Sequence, residues 1–328
     1  MKLLTFNCHE AWIYQLGSLG CNLDIVIGLG GRYTADWDRK MRPLPPRARL
    51  FELSEAVKRG GRYDCIIAHN VTDLLDAKSI AGPRLIVLHT TLEGRAANEQ
   101  AQTPPEQIRA QLAQYLVMAG GHAVAISSLK GGSWGVTGDI VSNAVDACDY
   151  LQYDGCEAAG LRVANEISKR KHILLWEFHQ RAFGGVPVRL IGHNPDMPGV
   201  TPARDWDDLK RILSRHRFFV HTADPRFEDG YNMATLEAMA AGLPVLGNRH
   251  PTSPVEHGVS GYLSDDPEEL RGYAERLLRD RDLAAAMGAE ARRIVMDKFS
   301  MLRFAQRFRR SINTAKKKWR KRKFDVAV

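Results

Sequence analysis

Residues 217–248, RFFVHTADPRFEDGYNMATLEAMAAGLPVLGN, hold the pattern that decides the fold. The stretch opens with an apolar run of strand length, passes through a polar loop, and enters a helical pattern in which Leu236 and Met239 share one face. Asn232 is a favourable helix N-cap, and Gly242 is well placed to end the helix. A second apolar run follows directly, so the stretch predicts one strand–helix–strand unit.

The same alternation continues along the whole 328-residue chain. Short, continuous runs rich in Val, Ile and Leu are typical of buried parallel strands, so we predict an α/β protein. A chain of this length suits two domains of roughly 150 residues each. We place an N-terminal domain at 1–147, a C-terminal domain at 148–300, and a terminal helix with a basic tail at 301–328. The predicted strands are KLLTF, LDIVIG, ARLFEL, DCIIAH, RLIVLH and HAVAIS, then LRVA, VPVRLIG, RFFVHT and LPVLGN.

Two further helices of the C-terminal domain are predicted from their periodicity. KHILLWEFHQRAF (171–183) is predicted to be one helix, and PEELRGYAERLLRDRDLAAAMGAEARRIV (267–295) is predicted as a second, continuous helix.

Composition narrows the class of protein. No apolar run approaches the roughly 18 residues of a membrane span, and the N-terminus lacks the features of a signal peptide. The five cysteines are widely spaced without a Cys-x-x-Cys pair, which disfavours disulfides and structural zinc, so we expect a reducing cytoplasm. The net charge is +8, and residues 316–323 (KKKWRKRK) carry seven positive charges, so the remainder is close to neutral at 8 − 7 = +1.

The segment DGYN lies where a predicted strand ends and a helix begins. Free N–H groups and the helix dipole make such a junction favourable for an anion. Glu237 is a carboxylate within the otherwise apolar helix, and Asp229 precedes the helix. The alternative is that Asp-Gly only forms a turn and that Glu237 faces solvent.

The stretch DGYNMATLEAMAAGLPV resembles the signature of retaining nucleotide-sugar glycosyltransferases of the glycogen-synthase-like superfamily, the group 1 or family-4 type. Further segments resemble that family in its order: RLIVLHTT, DIVSNAVD, VRLIGHNPD and HGVSGYL. The resemblance implies a GT-B architecture, in which two Rossmann-like domains face each other across a cleft and a C-terminal helix crosses back. It also implies transfer of a sugar from a UDP- or GDP-linked donor with retention. No Asp-x-Asp metal motif stands at the end of a predicted strand, so we expect neither a metal nor another cofactor.

The resemblance assigns roles to the residues of this signature. Glu237 would bind the ribose hydroxyls, and Asp229 would contact hydroxyls of the transferred sugar. The backbone N–H groups of the next four residues would face sugar and diphosphate: Gly230, Tyr231, Asn232 and Met233. The family has glutamate at the first acidic position, so Glu228, which adjoins Asp229, remains an alternative sugar contact.

The resemblance also implies cations for the diphosphate. Lys171 stands at the family's lysine position with Arg170 beside it, whereas Asn165 replaces the usual arginine. A solvated helix start is the alternative for these two basic residues. His89 ends a predicted strand and matches the family's catalytic-site histidine, although a histidine there is also compatible with a purely structural role. His69 resembles it more weakly.

Two rival functions remain open from the sequence. One is another sugar-nucleotide enzyme on the same fold, of the epimerase or phosphorylase type. The other is a catalytically impaired nucleotide-sugar-binding protein, prompted by the departures at Asn165 and Asp229. No dinucleotide-binding glycine motif, P-loop, metalloprotease motif or Gly-x-Ser-x-Gly sequence points to other chemistry.

The C-terminal region shows apolar residues at helical spacing among Lys and Arg. It is compatible with a packed terminal helix that has a solvated basic end. It is equally compatible with a basic amphipathic helix on the inner face of an anionic membrane, where Trp319 would favour the interface. We expect a glycan or lipid-linked acceptor and, because no aromatic stacking platform accompanies the run, no nucleic-acid partner.

Overall fold

The structure is a computed structural model that describes residues 1–325 apart from Tyr33, 59–61 and 100–101, and it describes side chains up to Arg322. The chain forms two compact units. The first takes in described residues of Met1–Ala96, Gln100–Asn143 and Met301–Val328, and the second comprises Ala97–Glu99 and Ala144–Ser300. The chain therefore returns to the first unit after Ser300, as expected for its terminal helix. The predicted boundaries at 147/148 and 300/301 stay predictions.

The first unit is built on a six-stranded parallel sheet in the order β3-β2-β1-β4-β5-β6. This is the Rossmann order, in which ligands bind beyond the carboxyl ends of the strands, where the strand order reverses between β1 and β4. The strands are β1 (Lys2–Phe6), β2 (Asn22–Ile27), β3 (Ala48–Glu52), β4 (Cys65–Ala68), β5 (Arg84–Leu88) and β6 (His122–Ala125). The helices are α1 (Glu10–Tyr14), α2 (Leu53–Lys58), α3 (Val71–Asp76), α4 (Leu92–Glu99), α5 (Pro105–Ala119) and α6 (Ser128–Ser133).

The second unit has a five-stranded parallel sheet in the order β11-β10-β9-β7-β8, with its reversal between β7 and β9. Its strands are β7 (Glu157–Val163), β8 (Val188–Ile191), β9 (His216–Val220), β10 (Val245–Gly247) and β11 (Gly261–Leu263). Its helices are α7 (Trp176–Phe183), α8 (Trp206–Arg215), α9 (Met233–Ala240), α10 (Pro267–Arg279) and α11 (Arg281–Lys298). All ten predicted strands are present, and the α/β class with two parallel-sheet domains is confirmed.

Two helix predictions were wrong at their boundaries. Helix α7 begins at Trp176, five residues later than predicted, because Leu175 adopts a left-handed backbone with φ 46°. The continuous helix over 267–295 is two helices that meet at Asp280. The backbone of Asp280 is extended (φ −115°, ψ 96°), and its carboxylate accepts from the Leu283 amide at 2.8 Å as the N-cap of α11.

The terminal helix α12 (Met301–Asp325) packs on the first unit through one apolar face. Phe304 and Phe308 lie edge-on to Trp12 of α1, with ring centroids 6.1 and 6.0 Å away. Farther along, Trp319 is half-buried, with the guanidinium of Arg84 5.4 Å from its ring centroid. Trp319 therefore packs partly on the first unit, and its expected place at a membrane interface stays a prediction. No helix among the described residues is long and apolar enough to cross a membrane.

Close backbone packing fixes α9 against α11. A Cβ atom on Gly288 of α11 would lie 1.8 Å from the carbonyl oxygen of Gly242, which lies two residues after the end of α9 and has a left-handed conformation. We predict that Gly288→Ala lowers the free energy of unfolding by about 2 kcal/mol, because this overpacking outweighs the gain in helix propensity.

The matched control is Gly272→Ala in α10, where a Cβ would meet nothing within 4 Å. This substitution should stabilise by about 0.5–1 kcal/mol. Urea unfolding of both variants measures the difference. Equal effects of the two substitutions would contradict the close α9–α11 contact.

Candidate functional site

The candidate site of the second unit lies beyond the carboxyl ends of β7, β9 and β10. The loop after β9 carries Glu228 and Asp229 and leads into α9, which carries Glu237. The segment after β7 carries Arg170 and Lys171. Parallel strands bring these segments to one edge of the sheet, beside the strand-order reversal where α/β proteins bind ligands.

Two histidines hold the acidic loop by its peptide carbonyls. His250 Nδ1 accepts the Thr252 amide at 3.2 Å, so its Nε2–H donates to the Glu228 carbonyl at 3.0 Å. His221 Nε2–H donates to the Asp229 carbonyl at 3.2 Å. Burial lowers the pKa of His250 and lowers that of His221 to about 4. Both imidazoles are therefore neutral near pH 7, the state in which His250 Nδ1 can accept the Thr252 amide.

The start of α9 is closely packed, and some of its backbone amides donate hydrogen bonds within the protein. A Cβ on Gly230 would lie 2.8 Å from the His250 ring, so this position accepts only glycine without movement. The Gly230 amide donates to Thr252 Oγ1 at 2.9 Å. Asn232 and Thr235 form a reciprocal capping box, which confirms the predicted N-cap. The amides of Gly230 and Asn232, both predicted to face diphosphate, thus have partners within the protein.

Both predicted acids are buried. Asp229 is 1% exposed and Glu237, inside α9, is 4% exposed. Glu228 has a different environment: one carboxylate oxygen accepts the Asp229 amide at 3.0 Å, and the other lies 3.5 Å from Arg170 Nη2. Glu237 is therefore not a solvated residue on a helix surface. Glu228 holds Arg170 close to the start of α9.

The basic residues lie in a turn and not at a helix start. Lys171 is exposed and precedes α7 by five residues. Arg162 of β7 anchors this turn. It is 2% exposed and donates to the Leu174 carbonyl at 3.0 Å and to Thr222 Oγ1 at 2.9 Å. Thr222 in turn donates to the same carbonyl at 2.6 Å. These bonds explain why the helical pattern of 171–183 is overridden at its beginning.

Asn165, at the position where the resembled family has arginine, joins two strand ends. Its Oδ1 accepts the His193 amide at 2.8 Å, and a Cβ on Gly192 would lie 2.8 Å from the same atom. The asparagine therefore links the segments after β7 and β8 and offers no positive charge.

A second polar cluster lies in the first unit, at the strand-order reversal between β1 and β4. His89 Nε2 and His69 Nδ1 are hydrogen-bonded at 2.9 Å, and His69 Nε2 pairs with buried Thr5 Oγ1 at 2.8 Å. Burial lowers the pKa of His69 to about 3 and that of His89 well below its ordinary value. Trp12 lies edge-on to both rings. His89 is thus a neutral imidazole whose orientation is set by His69.

Cys8 adds a third potential metal ligand to this cluster. Its thiol and the two imidazoles place their ligand atoms within 4.8 Å of one another. The two ring nitrogens are 2.9 Å apart and satisfy each other, whereas two nitrogen ligands of tetrahedral zinc would be about 3.3 Å apart. The cluster as it stands is a hydrogen-bonded pair, and the expectation of metal-independent chemistry stays a prediction.

Sequence reasoning did not single out Arg162, His221, His250 or Thr252. Each is polar, and His221, His250 and Thr252 lie at or just after the carboxyl end of a predicted strand, whereas Arg162 lies within one. A polar residue at a strand end is a sequence signal for a ligand site. The hydrogen-bond partners of these residues could not be predicted, because they lie in other segments of the chain. The roles predicted for Glu237, Asp229, Lys171, Arg170 and His89 stay predictions.

Part of the second unit matches known glycosyltransferases in sequence. Residues 186–280 match the family model described as Glycosyl transferases group 1, a span that includes Asp229 and Glu237. The chain is 28% identical over 120 residues to the O-antigen chain mannosyltransferase B of Escherichia coli, which covers 35% of this chain and 28% of that protein. It is 36% identical over 76 residues to the N-acetyl-alpha-D-glucosaminyl L-malate synthase of Bacillus anthracis, which covers 22% of this chain and 20% of that protein.

Solved structures show the fold across nearly the whole chain. The Anabaena protein Alr3699/HepE, crystallised with UDP and glucose, aligns with a TM-score of 0.68 at 15% identity, over 96% of this chain and all of that one. The chain thus carries a segment that matches the group 1 glycosyltransferase family model, and it has the GT-B fold, as the resemblance predicted. The matched segments span about a quarter of the curated relatives.

The neutral histidines predict acid sensitivity. The unfolded state binds protons below about pH 6.5 that folded His221 excludes until about pH 4, so the free energy of unfolding should fall as pH drops through this window. His221→Gln keeps an N–H donor without titrating. This substitution should reduce the slope of the free energy of unfolding against pH by up to about 1.4 kcal/mol per pH unit.

Urea unfolding at a series of pH values measures that slope. His172→Gln changes an exposed ring and serves as the control, with the wild-type slope expected. An unchanged slope in His221→Gln would show that titration of His221 does not cause the acid sensitivity.

Proposed function

We propose that the chain transfers a sugar from a UDP- or GDP-linked donor to an acceptor hydroxyl with retention of configuration. The observation that carries the proposal is the pair of buried carboxylates, Asp229 and Glu237, on either side of the α9 start within the group 1 segment. Burying carboxylates is costly, so their presence at a strand-end ligand position favours a binding role over a stabilising one.

In this proposal each part of the site contacts a different portion of the donor. Glu237 accepts hydrogen bonds from the ribose hydroxyls, and the α9 start receives the diphosphate. Asp229 contacts the transferred sugar, because the carboxylate of Glu228 already binds the Asp229 amide and Arg170. Arg170 and Lys171 supply positive charge to the diphosphate. His89 faces the transferred sugar as a neutral donor or acceptor.

The proposed reaction needs no enzymic nucleophile. The bond between the anomeric carbon and the diphosphate oxygen breaks, and the acceptor oxygen bonds to that carbon on the same face. The acceptor proton passes to the departing diphosphate. The protein contributes orientation and electrostatic stabilisation of the leaving group.

A binding protein without turnover is the second candidate. Asn165 favours it, because the residue at the family's arginine position is engaged in linking two strand ends. Epimerase or phosphorylase chemistry on the same donor is distinguished by its products. Anomeric configuration of the product, followed by nuclear magnetic resonance, separates a retaining transfer from these alternatives.

We propose a glycan or lipid-linked acceptor and a peripheral position on an anionic membrane, approached through residues 316–323. The described side chains of this run include exposed Lys317, Arg320 and Lys321, which agrees with such a surface. Lys316 instead pairs with Asp64 at 2.5 Å and helps to hold the helix on the first unit.

Calorimetric titration with UDP and GDP tests the donor site. Glu237→Gln removes a charged acceptor, so affinity for the preferred nucleotide should fall at least about tenfold, or about 1.4 kcal/mol. The control is Glu290→Gln, whose carboxylate is an exposed partner of Arg293 on α11. Full affinity in Glu237→Gln would refute the ribose assignment.

The phosphate role is tested by turnover. Lys171→Ala should lower kcat about tenfold or more by removing charge stabilisation of the leaving diphosphate. Lys169→Ala is the matched control, because Lys169 is an exposed neighbour paired with Glu166 at 2.7 Å. A change within about twofold in Lys171→Ala, under one-half kcal/mol, would exclude the role.

A further inference from the structure

Helix α12 presents a basic stripe that extends beyond residues 316–323. No Asp or Glu occurs between Met301 and Lys323, whereas eleven Lys and Arg do. Arg307, Arg310, Lys317 and Lys321 are exposed, and their spacings of three, seven and four residues place them on one helix face. From the first to the last of these, the stripe runs about 21 Å.

The C-terminal end of α5 packs directly beside the last turns of α12. A Cβ on Gly120, which caps α5 in a left-handed conformation, would lie 3.0 Å from Arg322 Cβ and 3.1 Å from the Lys318 carbonyl. Lys318 Nζ also lies 3.2 Å from His122 Nδ1, on the strand that follows α5. The two helices therefore share one surface of the first unit.

Two large apolar side chains are exposed at this junction. Val117 is 81% exposed and Met118 is 60% exposed, just before Gly120. The second half of α5, residues 110–119, carries no charged side chain. An exposed apolar pair next to a basic stripe, with no intervening acid on either segment, has the composition of a surface that meets a lipid interface.

We propose that α5 and α12 form a membrane-docking surface in which Val117 and Met118 enter the acyl boundary while the α12 stripe contacts anionic headgroups. Charge complementarity selects an anionic lipid surface as the occupant. Val117 and Met118 supply the apolar contact with the lipid, whereas Trp319 packs partly on the first unit beside Arg84. This inference rests on the proposed membrane partner and is independent of sugar transfer.

Co-sedimentation with phosphatidylcholine vesicles, with and without phosphatidylglycerol, tests the surface. Wild-type chain should bind the anionic vesicles and not the neutral ones. The double variant Val117→Ser/Met118→Ser should bind them about tenfold more weakly, since burial of both side chains is lost. Lys317→Gln/Lys321→Gln should also weaken binding to the anionic vesicles. The binding that remains should be less sensitive to salt than that of the wild type.

Leu302→Ser is the matched control, because Leu302 is 68% exposed at the other end of α12. It should bind like the wild type, and all variants should retain the wild-type Tm and nucleotide affinity. If the Val117/Met118 variant binds anionic vesicles as tightly as the wild type, the inference is overturned, even if the Lys317/Lys321 variant binds them weakly. A dimer in solution that the Val117/Met118 variant dissociates, or binding of RNA without binding of vesicles, would also overturn it.

Discussion

The acidic loop of the second unit is held by two imidazoles, each of which donates its Nε2–H to a peptide carbonyl of the loop. His221 donates to the Asp229 carbonyl at 3.2 Å, and His250 donates to the Glu228 carbonyl at 3.0 Å. A Cβ on Gly247 would lie 2.2 Å from the His221 carbonyl, and one on Gly230 would touch the His250 ring. These hydrogen bonds and the two glycines together set the position of Asp229, which we propose contacts the donor sugar.

The basic side of the same site is organised by a buried guanidinium. Arg162 has its pKa lowered to about 9 by burial first and by Arg170 second. Its hydrogen bonds to Leu174 and Thr222 join the basic turn to the strand end that precedes the acidic loop. The hydrogen bonds of Arg162 and the ion pair between Arg170 and Glu228 thus connect the basic turn to the acidic loop.

In the first unit, Trp12 joins the histidine pair to the terminal helix. Its ring lies edge-on to His69 and His89, and also to Phe304 and Phe308 of α12. Its indole N–H donates to Asn143 at 3.1 Å. The inner face of α12 therefore supports Trp12 and, through it, His89, which we propose faces the transferred sugar. The outer face of α12 carries the basic stripe proposed to meet a membrane.

Strands and the α9 cap were predictable because continuous apolar runs and an Asn at a helix start are local signals. The start of α7 was not, because tertiary bonds from Arg162 and Thr222 to Leu174 compete with the helical pattern there. The break at Asp280 had a local signal, a capping residue, but it was hidden in a continuous helical periodicity. The loop-holding pairs of His221 and His250 join segments separated in sequence, so only the fold reveals them.

The central claim is that the α9 start and the acidic loop bind a nucleotide-sugar donor. Amide hydrogen exchange with saturating UDP or GDP tests it most directly, because bound nucleotide suppresses local opening. The account predicts slower exchange in peptides covering residues 228–240, and in the turn at 166–175, with at least one of the nucleotides. Unchanged exchange at 228–240, with protection elsewhere in the chain, would contradict it.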